Sequence, residues 1–201
     1  YKDIDSFKST KFKNEVSNYF DVNHLCTWYL FTDYFACVDQ RAKNQLMRTW
    51  DGLKWYITYY DGDTQLGLRN DSFLAYLYTI DRETYDDEKR KYALEGHDSW
   101  LWCLVLANLK DELKTCAVNL RAKLSVERAL KMFNTEQAGN WSERQYNKSG
   151  KFKYIDPQIE GVDVGGVLTK YPYIYALQGS REAHRTHFIT NRFALLDAKY
   201  E

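Results

Sequence analysis

Asp39 and Asn44 stand five positions apart, and Asp61, Asp63 and Gly67 follow after two aromatic, β-branched runs. Residue types at this spacing suit phosphoryl transfer. One aspartate orients an attacking hydroxyl and takes its proton, while an asparagine and a further aspartate hold magnesium ions against nucleotide phosphates. In a chain with 17 Asp and 11 Asn, about one such Asp–Asn pair arises by chance, so the pair acquires meaning only from its position. The stretch from Asp61 to Gly67 also reads as a turn-rich exit from a strand, because Asp and Gly favour turns.

The flanking pattern supplies that position. Asp21 suits the N-cap of a helix over about 21–37, where its side-chain oxygen accepts from a free N–H of the first turn. Val22, Leu25, Cys26, Trp28, Tyr29, Leu30, Phe31, Tyr34 and Phe35 make this helix apolar nearly all round, which is the pattern of a buried helix. Gln45–Trp50 and Leu53–Tyr60 read as strands joined by a tight Asp51–Gly52 turn, a strong short-range hairpin signal. An Asp-x4-Asn loop before a hairpin that ends in Asp is the layout of the catalytic and metal-binding loops of protein kinases.

The remaining elements are helices. A short one falls near 11–20. Asp98 caps one over about 99–120, and Ser125 caps one over 126–134. Asn140 and Glu143 stand at capping-box spacing before another. Residues 148–170 carry glycines and little periodicity and read as a long loop. Pro172 suits the first turn of a final helix, on which Tyr173, Leu177, His184, Phe188 and Leu195 share a face. The predicted class is α+β, predominantly α: a helical lobe over 1–147 with one hairpin at about 45–60, the 148–170 loop, and a C-terminal helix over 171–201.

Composition narrows the function classes. The 201 residues hold 28 basic and 28 acidic side chains, a formal net charge of zero, so no global field draws the chain to nucleic acid or an anionic membrane. No apolar run nears the roughly 18 residues of a membrane span. The 33 aromatics, 17 of them Tyr, suit a thick core or an assembly interface. Cys26, Cys37, Cys103 and Cys116 lack metal-type pairing and read as thiols in apolar helices. His184 and His187, three apart, form a two-ligand set without a third partner at suitable spacing. Arg181, His184, Arg185, Phe188 and Arg192 on the final helix are the interface candidates.

The stretch from Asp21 to Gly67 resembles the CotH-type, or spore-coat-kinase-like, atypical kinases. The shared features are a helix, the Asp39 and Asn44 loop, a hairpin with Lys54-Trp55 on its second strand, and the Asp61, Asp63, Gly67 ending. The resemblance implies a kinase-like C-lobe in which Asp39 is the catalytic acid and Asn44 with Asp61 or Asp63 binds metal, with Mg-ATP as cofactor. The chain departs from the pattern at Gly62, where many members keep an apolar residue. The roughly 20 residues before Asp21 are too few for a nucleotide-binding lobe, so a working kinase would need that lobe upstream in a longer polypeptide. Tyr1 in place of Met fits a piece of such a polypeptide. Trp141-Ser142-Glu143 and the run from Tyr175 through Arg185 to Tyr200 resemble large tail proteins of short-tailed, crAss-like bacteriophages, of the muzzle type. That resemblance implies a virion location, other tail proteins as partners in a large homo- or hetero-oligomer, no membrane, no specific nucleic-acid recognition and no cofactor. Of the two roles, a catalytically degenerate scaffold is expected, with an active CotH-like kinase as the alternative.

Overall fold

The computed structural model describes residues 4–37, 39–41, 44–62, 65–67, 78–79, 99–134, 162–164, 167–169 and 181–201. The fold is α+β and predominantly α. Helix α1 (Thr10–Tyr19) starts at Ser9, whose hydroxyl accepts from Phe12 N–H at 3.1 Å. Helix α2 (Val22–Tyr34) starts at Asp21, which accepts from His24 N–H at 2.9 Å. Both caps satisfy donors that a helix start leaves open. Leu25, Cys26, Tyr29, Leu30 and Tyr34 of α2 are buried, so this helix is the spine of the core.

The end of α2 sets the direction of the site loop. Ala36 takes φ of +50°, Cys37 N–H donates to the Thr32 carbonyl at 2.8 Å, and Ala36 N–H to the Asp33 carbonyl at 3.1 Å. This is a Schellman turn with alanine where glycine is usual. It leads directly into a 3-10 turn, Asp39–Arg41.

Strands β1 (Gln45–Arg48) and β2 (Tyr56–Tyr59) pair antiparallel, Gln45 opposite Tyr59 and Arg48 opposite Tyr56. They are shorter than the sequence suggests, because the connection is wider than a two-residue turn. The Asp51 carboxylate accepts from Leu53 N–H at 2.8 Å and Lys54 N–H at 3.1 Å, and the Thr49 hydroxyl reaches it at 3.2 Å. Those bonds hold Asp51 acidic, its carboxyl below the usual range. Only Gly52 needs positive φ, +76°.

The helix expected over 99–120 is two helices. Helix α3 (Trp100–Asn108) and helix α4 (Lys110–Lys123) meet at Leu109. The Asn108 side chain donates to the Phe7 and Leu104 carbonyls and accepts from Ser9 N–H at 2.7 Å. It thereby ties the α3 end to the N-terminal segment, the competition with backbone that makes Asn a poor interior helix residue. Ser99, not Asp98, precedes α3; Asp98 lies outside the described residues. Helix α5 (Val126–Asn134) has its expected Ser125 cap, bonded to Arg128 N–H at 3.0 Å.

A second antiparallel pair, β3 (Val162–Val164) with β4 (Val167–Thr169), falls inside the 148–170 stretch read as loop. The valine-rich run favours extended backbone over the turns that its glycines suggested. Helix α6 (Arg181–Tyr200) closes the fold. Pro172, Tyr173 and Leu177, expected on that helix, and Asn140 and Glu143, expected at the start of another, lie outside the described residues. Helix α2 packs on α4, on β2 and on α6, while α6 also packs on α4 and α5.

Candidate functional site

The loop between the Schellman turn and the hairpin meets the segment that leaves the hairpin. Asn44 Nδ2 donates to the Asp61 carboxylate at 3.3 Å and to the Asp61 carbonyl at 3.2 Å. Residues 17 apart in sequence are thus brought together by the two strands between them. Asp39 opens the 3-10 turn that leads into Asn44; Asp63 lies outside the described residues.

Gln40 completes the arrangement, and no spacing argument marked it. Its side chain is fully buried, and Nε2 donates to the Asp61 carbonyl at 2.6 Å and the Tyr60 carbonyl at 3.3 Å. Asp61 sits at φ of +52°, a left-handed conformation that aspartate tolerates better than most residues. Gln40 and Asn44 hold it there through its carbonyl and leave its carboxylate exposed. Strained backbone of this kind concentrates at functional sites. The exposed Asp61 carboxylate is an oxygen donor of the kind magnesium takes, and Asn44 presents its N–H to it.

Gly62 has a packing reason. A Cβ at that position would overlap the ring and hydroxyl of Tyr59. Tyr59 in turn donates to Gln65 Oε1 at 3.2 Å and lies 4.0 Å from the Cys37 thiol. Burial pushes that thiol up to about 12, against the lowering effects of Tyr59 and Arg41. Leu66 N–H then donates to the Phe35 carbonyl at 2.8 Å, so the segment after Asp61 is anchored on the end of α2.

Arg41 turns inward. Its guanidinium lies 5.0 Å over the Tyr29 ring and 3.8 Å from Asp33 Oδ1. Asp33 is the centre of a buried polar cluster. Its Oδ1 accepts from Arg192 Nη2 at 2.8 Å and its Oδ2 from the Tyr200 hydroxyl at 3.0 Å, while Lys199 Nζ lies 4.0 Å away. Arg192 also donates to the Asp33 carbonyl at 3.0 Å and the Tyr78 carbonyl at 2.9 Å. The cluster joins α2, the 39–41 turn and α6. A second ion pair, Arg121 with Asp197 at 2.8 Å, lines a groove of about 420 Å³ whose wall includes Tyr34. The Tyr34 hydroxyl donates to Asp197 at 2.8 Å, so these polar groups are spent on one another.

Three of the five interface candidates face the core. His184, Phe188 and Arg192 are buried, because α6 lays one face on α2, α4 and α5 and His184 and Arg192 have polar partners waiting there. Leu195, placed on the apolar face from sequence, is 40 % exposed, and Leu196 takes the buried position. Arg185 is half-buried and Arg181 opens the helix. His184 and His187 diverge: His184 Nε2 donates to the Leu66 carbonyl at 3.1 Å, while the His187 ring packs on Tyr78.

Burial lowers the His184 pKa, outweighing the raising effect of the Leu66 bond, and His187 and Arg185 lower it a little further. A histidine whose folded pKa lies below its unfolded value takes up a proton on unfolding. Stability is therefore full above about pH 6.5 and falls as pH drops toward the folded value. Urea unfolding at pH 7.5 and 5.5 is expected to show that loss in the wild type and a reduced loss in His184→Gln. An equal loss in both would exclude His184 as the source.

No family model, curated protein or solved structure matches the chain.

Proposed function

We propose that the chain is the helical lobe of a kinase-like fold serving as a structural component of a bacteriophage tail, a catalytically degenerate scaffold that packs against other virion subunits. The observation that carries this reading is the hairpin surface. Leu46, Met47, Trp50, Leu53, Trp55, Tyr59 and Tyr60 are all exposed along one two-stranded element. They divide between the two faces of the hairpin, and this much exposed aromatic and aliphatic side chain on one small element is the composition of a contact surface. The virion location and the tail partners rest on the resemblance of the 141–143 and 175–200 segments.

The alternative is a CotH-like kinase that uses Mg-ATP, with Asp39, Asn44 and Asp61 or Asp63 in its site. The contact between Asn44 and Asp61 favours it, because metal-binding kinase loops must bring those two residue types together. Calorimetric titration of Mg-ATP into the full-length parent polypeptide, which a working kinase would need for its nucleotide lobe, separates the two. The scaffold reading expects no binding heat from the wild type or from Asp61→Ala. Heat that is present in the wild type and lost in Asp61→Ala would overturn it in favour of the kinase.

A further inference from the structure

The hairpin has two outer edges, and among the described residues only that of β2 is covered. Trp55 N–H donates to the Tyr19 carbonyl at 2.7 Å, and the His24 ring lies 3.1 Å from Ile57 N and 3.0 Å from the Ile57 carbonyl. The outward backbone groups of this strand therefore belong to Trp55 and Ile57. Backbone groups alternate along a strand, so Tyr56 and Thr58 turn theirs toward β1, where Arg48 and Leu46 stand opposite. By the same alternation Gln45 and Met47 point their N–H and C=O groups away from β2. No described residue bonds to them.

We infer that β1 pairs with β1 of a second copy of this chain, antiparallel about a two-fold axis at Leu46, so that two hairpins form one four-stranded sheet. The strand is self-complementary in that register. Met47 of each copy opposes Gln45 of the other in hydrogen-bonded pairs, and Leu46 meets its own mate in the pair where side chains approach most closely. Arg48 falls opposite Asn44, so no like charges face each other. A two-fold contact requires such a patch to fit itself. The two apolar side chains of the pairing strand, Leu46 and Met47, are 52 % and 43 % exposed and available to the contact. The inference deepens the packing role proposed above and rests on it, naming the first surface and its partner.

Sedimentation velocity on the full chain over about 1–100 μM tests the contact at concentrations where an interface of this size associates. Met47→Pro removes an outward N–H yet spares the hairpin ladder, and proline is tolerated at such edge positions. Leu46→Lys sets two ammonium groups against each other across the axis. A wild-type dimer is expected, with association at least about tenfold weaker in each variant and unchanged thermal unfolding at low concentration. Leu46→Cys with oxidised glutathione gives an orthogonal reading. The two introduced thiols form one disulfide, and each glutathione disulfide consumed yields two glutathione thiols. The four native cysteines are buried, so a covalent dimer reports position 46, while Arg48→Cys, which faces Asn44, is expected to give none. A monomer throughout, or a dimer indifferent to both Met47→Pro and Leu46→Lys, overturns the inference. A monomer leaves the packing role standing; that role falls only on Mg-ATP heat that depends on Asp61.

Discussion

Asp33→Ala is expected to cost about 3–5 kcal/mol of folding stability, the range for removing one partner of a buried ion pair. Folded domains of ordinary stability hold about 5–15 kcal/mol in all, so the variant stands near the edge of folding. The loss has a definite physical source. Arg192 is 2 % exposed and Arg41 is 6 % exposed, and Asp33 carries the carboxylate between them. Without it Arg192 keeps its bonds to the Asp33 and Tyr78 carbonyls but has lost the anion it was buried against. Arg192→Met in the Asp33→Ala background is expected to recover part of the loss, because it takes a stranded cation out of the core. Urea unfolding of the single and double variants is the measurement. A single-variant loss under about 1 kcal/mol would mean that the arginine finds a substitute partner.

The same cluster sets behaviour in acid. Burial by itself would raise the Asp33 carboxyl. Arg192, Arg41, Lys199 and the Tyr200 hydroxyl outweigh burial and hold it below its ordinary value. A carboxylate with a depressed folded pKa gives stability that is fully present above the unfolded value and is lost as pH falls through the folded one. Acid unfolding from this source therefore begins below about pH 4, well beneath the window in which His184 acts. Asp33→Asn is expected to flatten the acid limb while lowering stability at neutral pH.

What could be read from the sequence was local, and what could not was distant. Asp21 and Ser125 cap as expected because a cap needs only the three residues after it. The all-round apolar pattern of α2 marked the buried helix for the same reason. The break at Leu109 was invisible because its cause, Asn108 bonded to Phe7 and Ser9, spans about a hundred residues. Arg192 and His184 were placed at an interface for a related reason. Helix spacing shows that a polar side chain lies on a face, but not that Asp33 or the Leu66 carbonyl waits there. At the candidate site the sequence named Asn44 and Asp61 or Asp63 but not their contact, which the two strands between them make. Gln40 stayed anonymous, since glutamine beside aspartate has no signature until its amide meets two carbonyls.

Phe193→Ala is the second large loss expected, about 3–5 kcal/mol, as for other buried phenylalanines. The ring is fully buried. It meets Tyr34 at 5.0 Å and Phe35 at 5.5 Å between centroids, edge to face in both, and the Arg121 guanidinium lies 4.7 Å from its centroid. One side chain of α6 therefore touches the end of α2 and the last turn of α4. Truncation leaves a cavity that the two rings and the guanidinium can refill only by abandoning their present positions, and Arg121 is held by Asp197 and by the Leu124 carbonyl. Phe193→Leu should cost less than half as much, because it restores most of the volume. The informative quantity is the coupling to Asp33. Arg192 and Phe193 are neighbours on α6, and both fasten that helix to the end of α2. If α6 docks as one unit, the Asp33→Ala, Phe193→Ala double variant loses less than the two single losses added, by more than the roughly 0.5 kcal/mol within which independent sites add. Strict additivity would mean that polar and apolar fastenings of α6 act separately, and that the helix can loosen at Phe193 while Asp33 still holds the 39–41 turn in place.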